Sequence, residues 1–115
     1  MKLDKSLVSG SMAMLVMKLL ERGDLYGYQM IEDLKKCSDN TFHLKAGTLY
    51  PLLHSLEERG FVTAYEREAT AGKPRRYYHL TEQGHLALRE KEEAWNVYVD
   101  AVSRVLKGGA CHVGA

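Results

Sequence analysis

Apolar and polar residues first repeat with helical period, then alternate, then return to helical period. Val8, Met12, Leu15, Val16 and Leu19 recur at spacings of four, three, one and three, which puts them on one helix face ending near Gly23. A second helix follows at about 26–36, with Gly27, Met30, Ile31 and Leu34 inward, and the turn-rich Cys37-Ser38-Asp39-Asn40 ends it. Leu49, Leu52, Leu53 and Leu56 fall at i, i+3, i+4 and i+7, predicting a third helix over about 45–59 that closes at Gly60. Pro51 lies near its start, where a missing N–H costs little, and Gly47 has no side chain to crowd that turn. From Phe61 the period becomes two: Val62, Ala64 and Glu66 alternate with Thr63, Tyr65 and Arg67. Arg76 to Leu80 repeats the pattern, with Tyr78 and Leu80 on one face and Tyr77 and His79 on the other. The intervening loop, Ala69 to Pro74, contains Gly72 and Pro74, so a hairpin spans about 61–80. Thr81 is a good N-cap with Glu82 at the positive end of the helix dipole. The helix it starts runs to about Leu106, where Gly108-Gly109 stops it and leaves a flexible tail over 108–115.

Three helices followed by a two-stranded hairpin is the order of a winged helix-turn-helix. The predicted class is therefore α+β, mainly helical. Residues 1–80 form a DNA-binding winged domain, and 81–107 form a long C-terminal dimerisation helix. With the leucine stripe inward, Thr48, Tyr50 and His54 face outward on the third helix, where recognition helices touch base edges. Lys73, Arg75 and Arg76 crowd the hairpin tip as candidate phosphate contacts, and the Tyr28 hydroxyl can reach a phosphate from the start of the second helix.

Composition narrows this without changing it. With 115 residues, 45% of them apolar, the chain suits one domain with a real core. A formal net charge of +1 argues against coating nucleic acid by bulk attraction, but it permits a local basic patch. No apolar stretch is long enough to span a bilayer, and Met1 to Gly10 lacks a secretory apolar core, so the chain reads as cytoplasmic. Cys37 and Cys111 lie far apart, and no histidine has ligand spacing apart from His112 beside Cys111 in the tail, so no metal or cofactor is expected. Nothing resembles a nucleophile with its base or a phosphate-cradling glycine loop after a strand, which excludes the common enzyme classes.

The segments "LYGYQMIEDL", "AGTLYPLLHSLEERGFV" and "GKPRRYYHLTEQG" resemble the PadR family of bacterial transcriptional regulators in order and spacing. The resemblance implies a homodimeric winged-helix repressor, released from a palindromic operator by a small ligand. Where the family often has Ser at the start of the third helix, this chain has Lys45. Lysine cannot cap the helix, but it can reach a phosphate.

On the terminal helix, Leu88, Trp95, Val99, Val102 and Leu106 recur at seven, four, three and four, with Tyr98 alongside. So long a stripe resembles a coiled-coil seam, best covered by a second copy. Two copies of Trp95, the single tryptophan, with Val99 beside it, can sandwich a flat aromatic effector across the two-fold axis. A winged-helix protein–protein module without sequence-specific DNA binding is the competing reading, disfavoured by the polar groups on the third helix.

Overall fold

The computed structural model describes residues 5–68 and 72–108, with side chains from Gly10 onward. The expected tail beyond Gly108, with Cys111 and His112, the Ala69–Ala71 part of the loop and the Val8 side chain lie outside the described residues. In chain order the elements are α1 (Lys5–Glu21), β1 (Leu25–Tyr26), α2 (Gly27–Cys37), α3 (Ala46–Glu58), β2 (Val62–Glu68), β3 (Pro74–Leu80) and α4 (Glu82–Leu106).

The core collects one apolar face from each helix. Val16, Met17 and Leu20 of α1 meet Met30 and Leu34 of α2, Leu49, Leu53 and Leu56 of α3, and Leu88 of α4. The sheet closes one side with Val62, Tyr78 and Leu80. Each wholly buried leucine contributes about 1.5–3 kcal/mol of transfer free energy, so burial of the stripe decides which face of α3 remains outside. Pro51 sits within α3, which runs unbroken to Glu58. Past its end, Gly60 adopts φ +80° and Phe61 N–H reaches back to the Leu56 carbonyl at 2.9 Å, a left-handed termination that suits glycine.

The sheet has one strand more than the sequence suggests. β1 pairs antiparallel with β3, Leu25 opposite Tyr78 and Tyr26 opposite Tyr77, giving the order β1-β3-β2. Tyr26, read from sequence as the first residue of the second helix, is instead a strand residue, and α2 begins at Gly27. Two residues are too few to display period two. The pairing with β3 creates this strand, not local propensity.

One junction sets how α4 leaves the sheet. Thr81 Oγ1 accepts from Gly84 N–H at 3.0 Å, capping α4, and donates to the Gly60 carbonyl at 2.7 Å, so the end of α3 and the start of α4 share one hydroxyl. Thr81 N–H also donates to the Phe61 carbonyl at 3.0 Å. That carbonyl lies against Gly84, where a Cβ would collide with backbone that cannot move aside. Leu80, Gly84 and Leu88 are all buried, so the core continues past residue 81 into the first turns of α4.

Gly84→Ala is therefore expected to cost about 2–3 kcal/mol, lowering the thermal midpoint by on the order of 10 °C. A melting curve superimposable on that of the unmodified protein would refute the close approach.

Candidate nucleic-acid interface

Burial of the leucine stripe leaves Lys45, Thr48, Tyr50 and His54 on the exposed side of α3. Lys45 occupies the N-cap in extended conformation and makes no side-chain cap bond, which leaves its ammonium group outside. Tyr28, on α2, is largely exposed. His54 Nε2 lies 2.7 Å from Glu58 Oε1 one turn along, so the imidazole shares its face with a carboxylate. Tyr50 is more constrained than its outward position suggested. Its hydroxyl packs on Gly27, whose missing Cβ leaves the only room for it, so the ring wedges the start of α2 against α3 while one edge remains in solvent.

The basic end of the wing is divided by the pleat. Along β3, Tyr78 and Leu80 face the core, so Arg76 shares their face while Arg75, Tyr77 and His79 face outward. Arg76 Nη2 reaches Glu57 Oε2 on α3 at 3.4 Å, and its guanidinium lies 5.8 Å from the Tyr78 ring centre. Arg75 Nη1 donates to the Tyr26 hydroxyl at 2.6 Å and lies over the Tyr26 ring at 4.5 Å. Lys73 is exposed beside them. The three cations are thus adjacent in sequence but do not form one cluster, because successive strand residues point to opposite faces.

The outer face carries residues the sequence reading did not single out. Tyr26, Tyr77 and Tyr65 form a row across all three strands, Tyr26 edge-on to Tyr77 at 5.4 Å and Tyr65 stacked on Tyr77 at 5.8 Å. Arg67 covers Tyr77 at 5.3 Å. Asp24, just before β1, accepts from the Tyr65 hydroxyl at 2.6 Å and lies 2.8 Å from His79 Nδ1, tying the end of α1 to both wing strands. Burial pushes the Asp24 carboxyl up, but the hydrogen bonds from Tyr65 and His79 outweigh it, and the carboxyl settles below its ordinary value. The legible signal for Arg67 was its place in alternation with Tyr65, once the loop length sets the strands in register.

On α4 the expected apolar stripe divides in two. Leu88 is wholly buried in the chain's own core and is withdrawn from the set expected to meet a second copy. The first turns of α4 lie over the core, and the stripe emerges only further along. Trp95 (43% exposed), Tyr98 (60%) and Leu106 (80%) are open, as is Val102. Lys18 binds Glu21 at 2.8 Å and Glu92 at 3.0 Å, fastening α1 to α4. Further along, a cleft of about 280 Å³ opens between the two helices, lined by Gly10, Ala13, Met14, Lys91, Trp95 and Tyr98. Val99 is half-buried one turn beyond, outside the described lining.

Residues 16–90, more than half of the chain, match the family described as "Transcriptional regulator PadR-like family". The chain belongs to this family. It is 30% identical over 89 residues to a transcriptional regulator of Mycobacterium tuberculosis, covering 77% of this chain and 76% of that one. It is 28% identical over 101 residues to the transcriptional regulator YqjI of Escherichia coli, covering 88% of this chain but 47% of YqjI, so it spans about half the length of that relative. Among solved structures, a PadR family regulator from Eggerthella lenta superposes with a TM-score of 0.78 at 36% identity, covering 88% of this chain and 86% of that one. The protein is thus a PadR-like transcriptional regulator with a winged-helix DNA-binding fold. Among the described residues no group of three or more His, Cys, Asp or Glu side chains is placed to hold a metal ion, and no helix is long and apolar enough to cross a membrane.

In this PadR-like wing the Asp24 bonds have a defined pH signature. A carboxyl whose folded value lies below its unfolded one stabilises above the unfolded value, and that contribution is lost as pH falls through the lowered value. Because Asp24 is about a third exposed, its loss in Asp24→Asn should cost only about 1 kcal/mol. Urea midpoints of the two proteins should differ at pH 5, and the gap should shrink progressively as pH falls below about 4. A gap that persists undiminished at pH 3 would count against the carboxylate as the anchor.

Proposed function

We propose that this PadR-like regulator acts in the cytoplasm as a homodimeric repressor that reads a near-palindromic operator and releases it when a flat aromatic ligand binds. The observation that carries the reading is the division of α3: one face is buried leucine, and the other presents Lys45, Thr48, Tyr50 and His54 beside a basic wing. Thr48 and His54 offer hydrogen-bonding groups to base edges, and Tyr50 offers its exposed ring edge, its hydroxyl lying against Gly27. Lys45, Tyr28, Lys73, Arg75 and Arg76 supply phosphate contacts that set register and orientation without reading sequence.

The dimer rests on the open half of α4. Trp95, Tyr98, Val102 and Leu106 expose a contiguous apolar strip that a second copy would cover. With Val99 at its edge, that strip lies beside the α1–α4 cleft, so a two-fold axis there brings two tryptophans face to face. At about 280 Å³ the cleft is at the low end for a ligand pocket, and a copy from the other protomer would enlarge it. Trp95 and Tyr98 already lie 6.2 Å apart with their rings tilted by 36°, a ready aromatic wall.

Selection from random duplexes followed by sequencing should return inverted half-sites centred about 34 Å apart, one helical turn. An enriched pool without two-fold symmetry would reject the paired arrangement. Because Trp95 is the single tryptophan, its emission should be quenched by a planar aromatic compound that also displaces the selected duplex. Emission indifferent to every member of a panel of such compounds would reject the pocket.

A further inference from the structure

We propose that Arg67 and Arg75 together form a phosphate clamp on the outer face of the wing, gripping one phosphodiester of bound duplex DNA. The proposal rests on the DNA-binding reading and adds to it a residue and a face. Arg67 is the direct cross-strand partner of Arg75. Side chains so placed have Cβ atoms about 5 Å apart on the same face of the sheet. Two guanidinium groups side by side repel each other, and like charges directly opposite destabilise a strand pair. Relief from a carboxylate on the same face is the ordinary remedy, yet among the described residues neither arginine has a carboxylate within ion-pair distance. Asp24, just before β1, is hydrogen-bonded to Tyr65 and His79 and interacts with the Arg67 charge only through space, without an ion pair. Glu66 and Glu68 lie at the alternate positions of β2 and so face the other way.

Aromatic rings hold the pair in place instead. Arg75 lies over Tyr26 at 4.5 Å and donates to its hydroxyl, while Arg67 lies over Tyr77 at 5.3 Å. Tyr77 in turn is held edge-on by Tyr26 and stacked by Tyr65. Both cations thus sit on a rigid aromatic floor, which reduces the side-chain entropy lost on binding, and both retain N–H donors for an outside acceptor. The acceptor that fits two planar forks at this spacing is a tetrahedral oxyanion with a free oxygen for each fork, and a phosphodiester, with two non-bridging oxygens, qualifies. Arg76 also lies over a ring, that of Tyr78, but differs on two other counts. It lies on the opposite face, and it has a carboxylate, that of Glu57, within ion-pair distance. Of the two adjacent wing arginines, Arg75 is the one equipped to act with a partner.

The test compares unmodified protein with Arg67→Gln, Arg75→Gln and the double variant, titrating one selected and one random duplex over a range of salt. Each single variant should weaken binding to both duplexes by about fivefold. The double variant should weaken binding by clearly less than the product of the two and reduce the salt slope by about 0.9, the value for one phosphate. Arg67→Lys should keep the salt slope while losing part of the affinity, because a point charge replaces the planar fork. Circular dichroism must show the same helix content in every variant. Binding and slope unchanged in Arg67→Gln would overturn the clamp while leaving the DNA-binding reading intact, and strictly multiplicative losses would overturn the shared phosphate. Failure of the unmodified protein to bind any duplex would remove the DNA-binding reading and the clamp with it.

Discussion

The surface chemistry of this regulator depends on the alternation of β3. The strand lies in the middle of the sheet, paired on both sides, so its register is pinned twice. Tyr78 and Leu80 must be inside, because they complete the core against α1 and α4. A slip of one residue would expose them and bury Tyr77 and His79 in their place. Once they are in, every other choice on the wing follows. Arg76 is sent toward α3 and meets Glu57, whereas Arg75 is sent outward onto Tyr26, beside Arg67. Hydrophobic burial of two side chains thereby sorts two neighbouring cations that have no preference of their own.

The helices obey a similar logic with a different period. Burying Leu49, Leu53 and Leu56 turns the polar side of α3 to solvent, and the Tyr50 hydroxyl against Gly27 then limits how α2 and α3 can cross. A Cβ at Gly27 would push that ring aside, so the glycine favours this contact by proximity and not by backbone conformation. Thr81 and Gly84 do the same for α4, with the hydroxyl serving two helices and the glycine admitting the Phe61 carbonyl. Short polar contacts of this kind contribute modestly to stability but define angles that a leucine core alone would leave loose.

Much of the fold was legible in the sequence because its apolar periods are clean. The leucines of α3, the alternation of β2 and β3 and the Thr81 cap all appear in local spacing. The three quoted PadR-like segments lie where the structure has β1 with most of α2, α3 with the start of β2, and β3 with the start of α4. β1 was not legible, because Leu25 and Tyr26 become a strand only when β3 arrives. Leu88 was misassigned to an exposed seam for a related reason: the heptad-like spacing is continuous through Trp95, and nothing local marks where α4 leaves the core. Arg67 escaped notice because its significance lies in the residue opposite it, not in its neighbours along the chain.

By itself the sequence determined which face of each element is apolar and where the chain must turn, since both depend on side chains a few residues apart. Only the tertiary structure decided which cation meets which ring, how much of α4 stays open, and that Asp24 ties α1 to the wing. Those outcomes depend on contacts such as Arg75 with Tyr26, 49 residues apart, and Tyr65 with Asp24, 41 residues apart. Local spacing carries no record of such distances, because they are set by how separate hydrophobic faces close over one core.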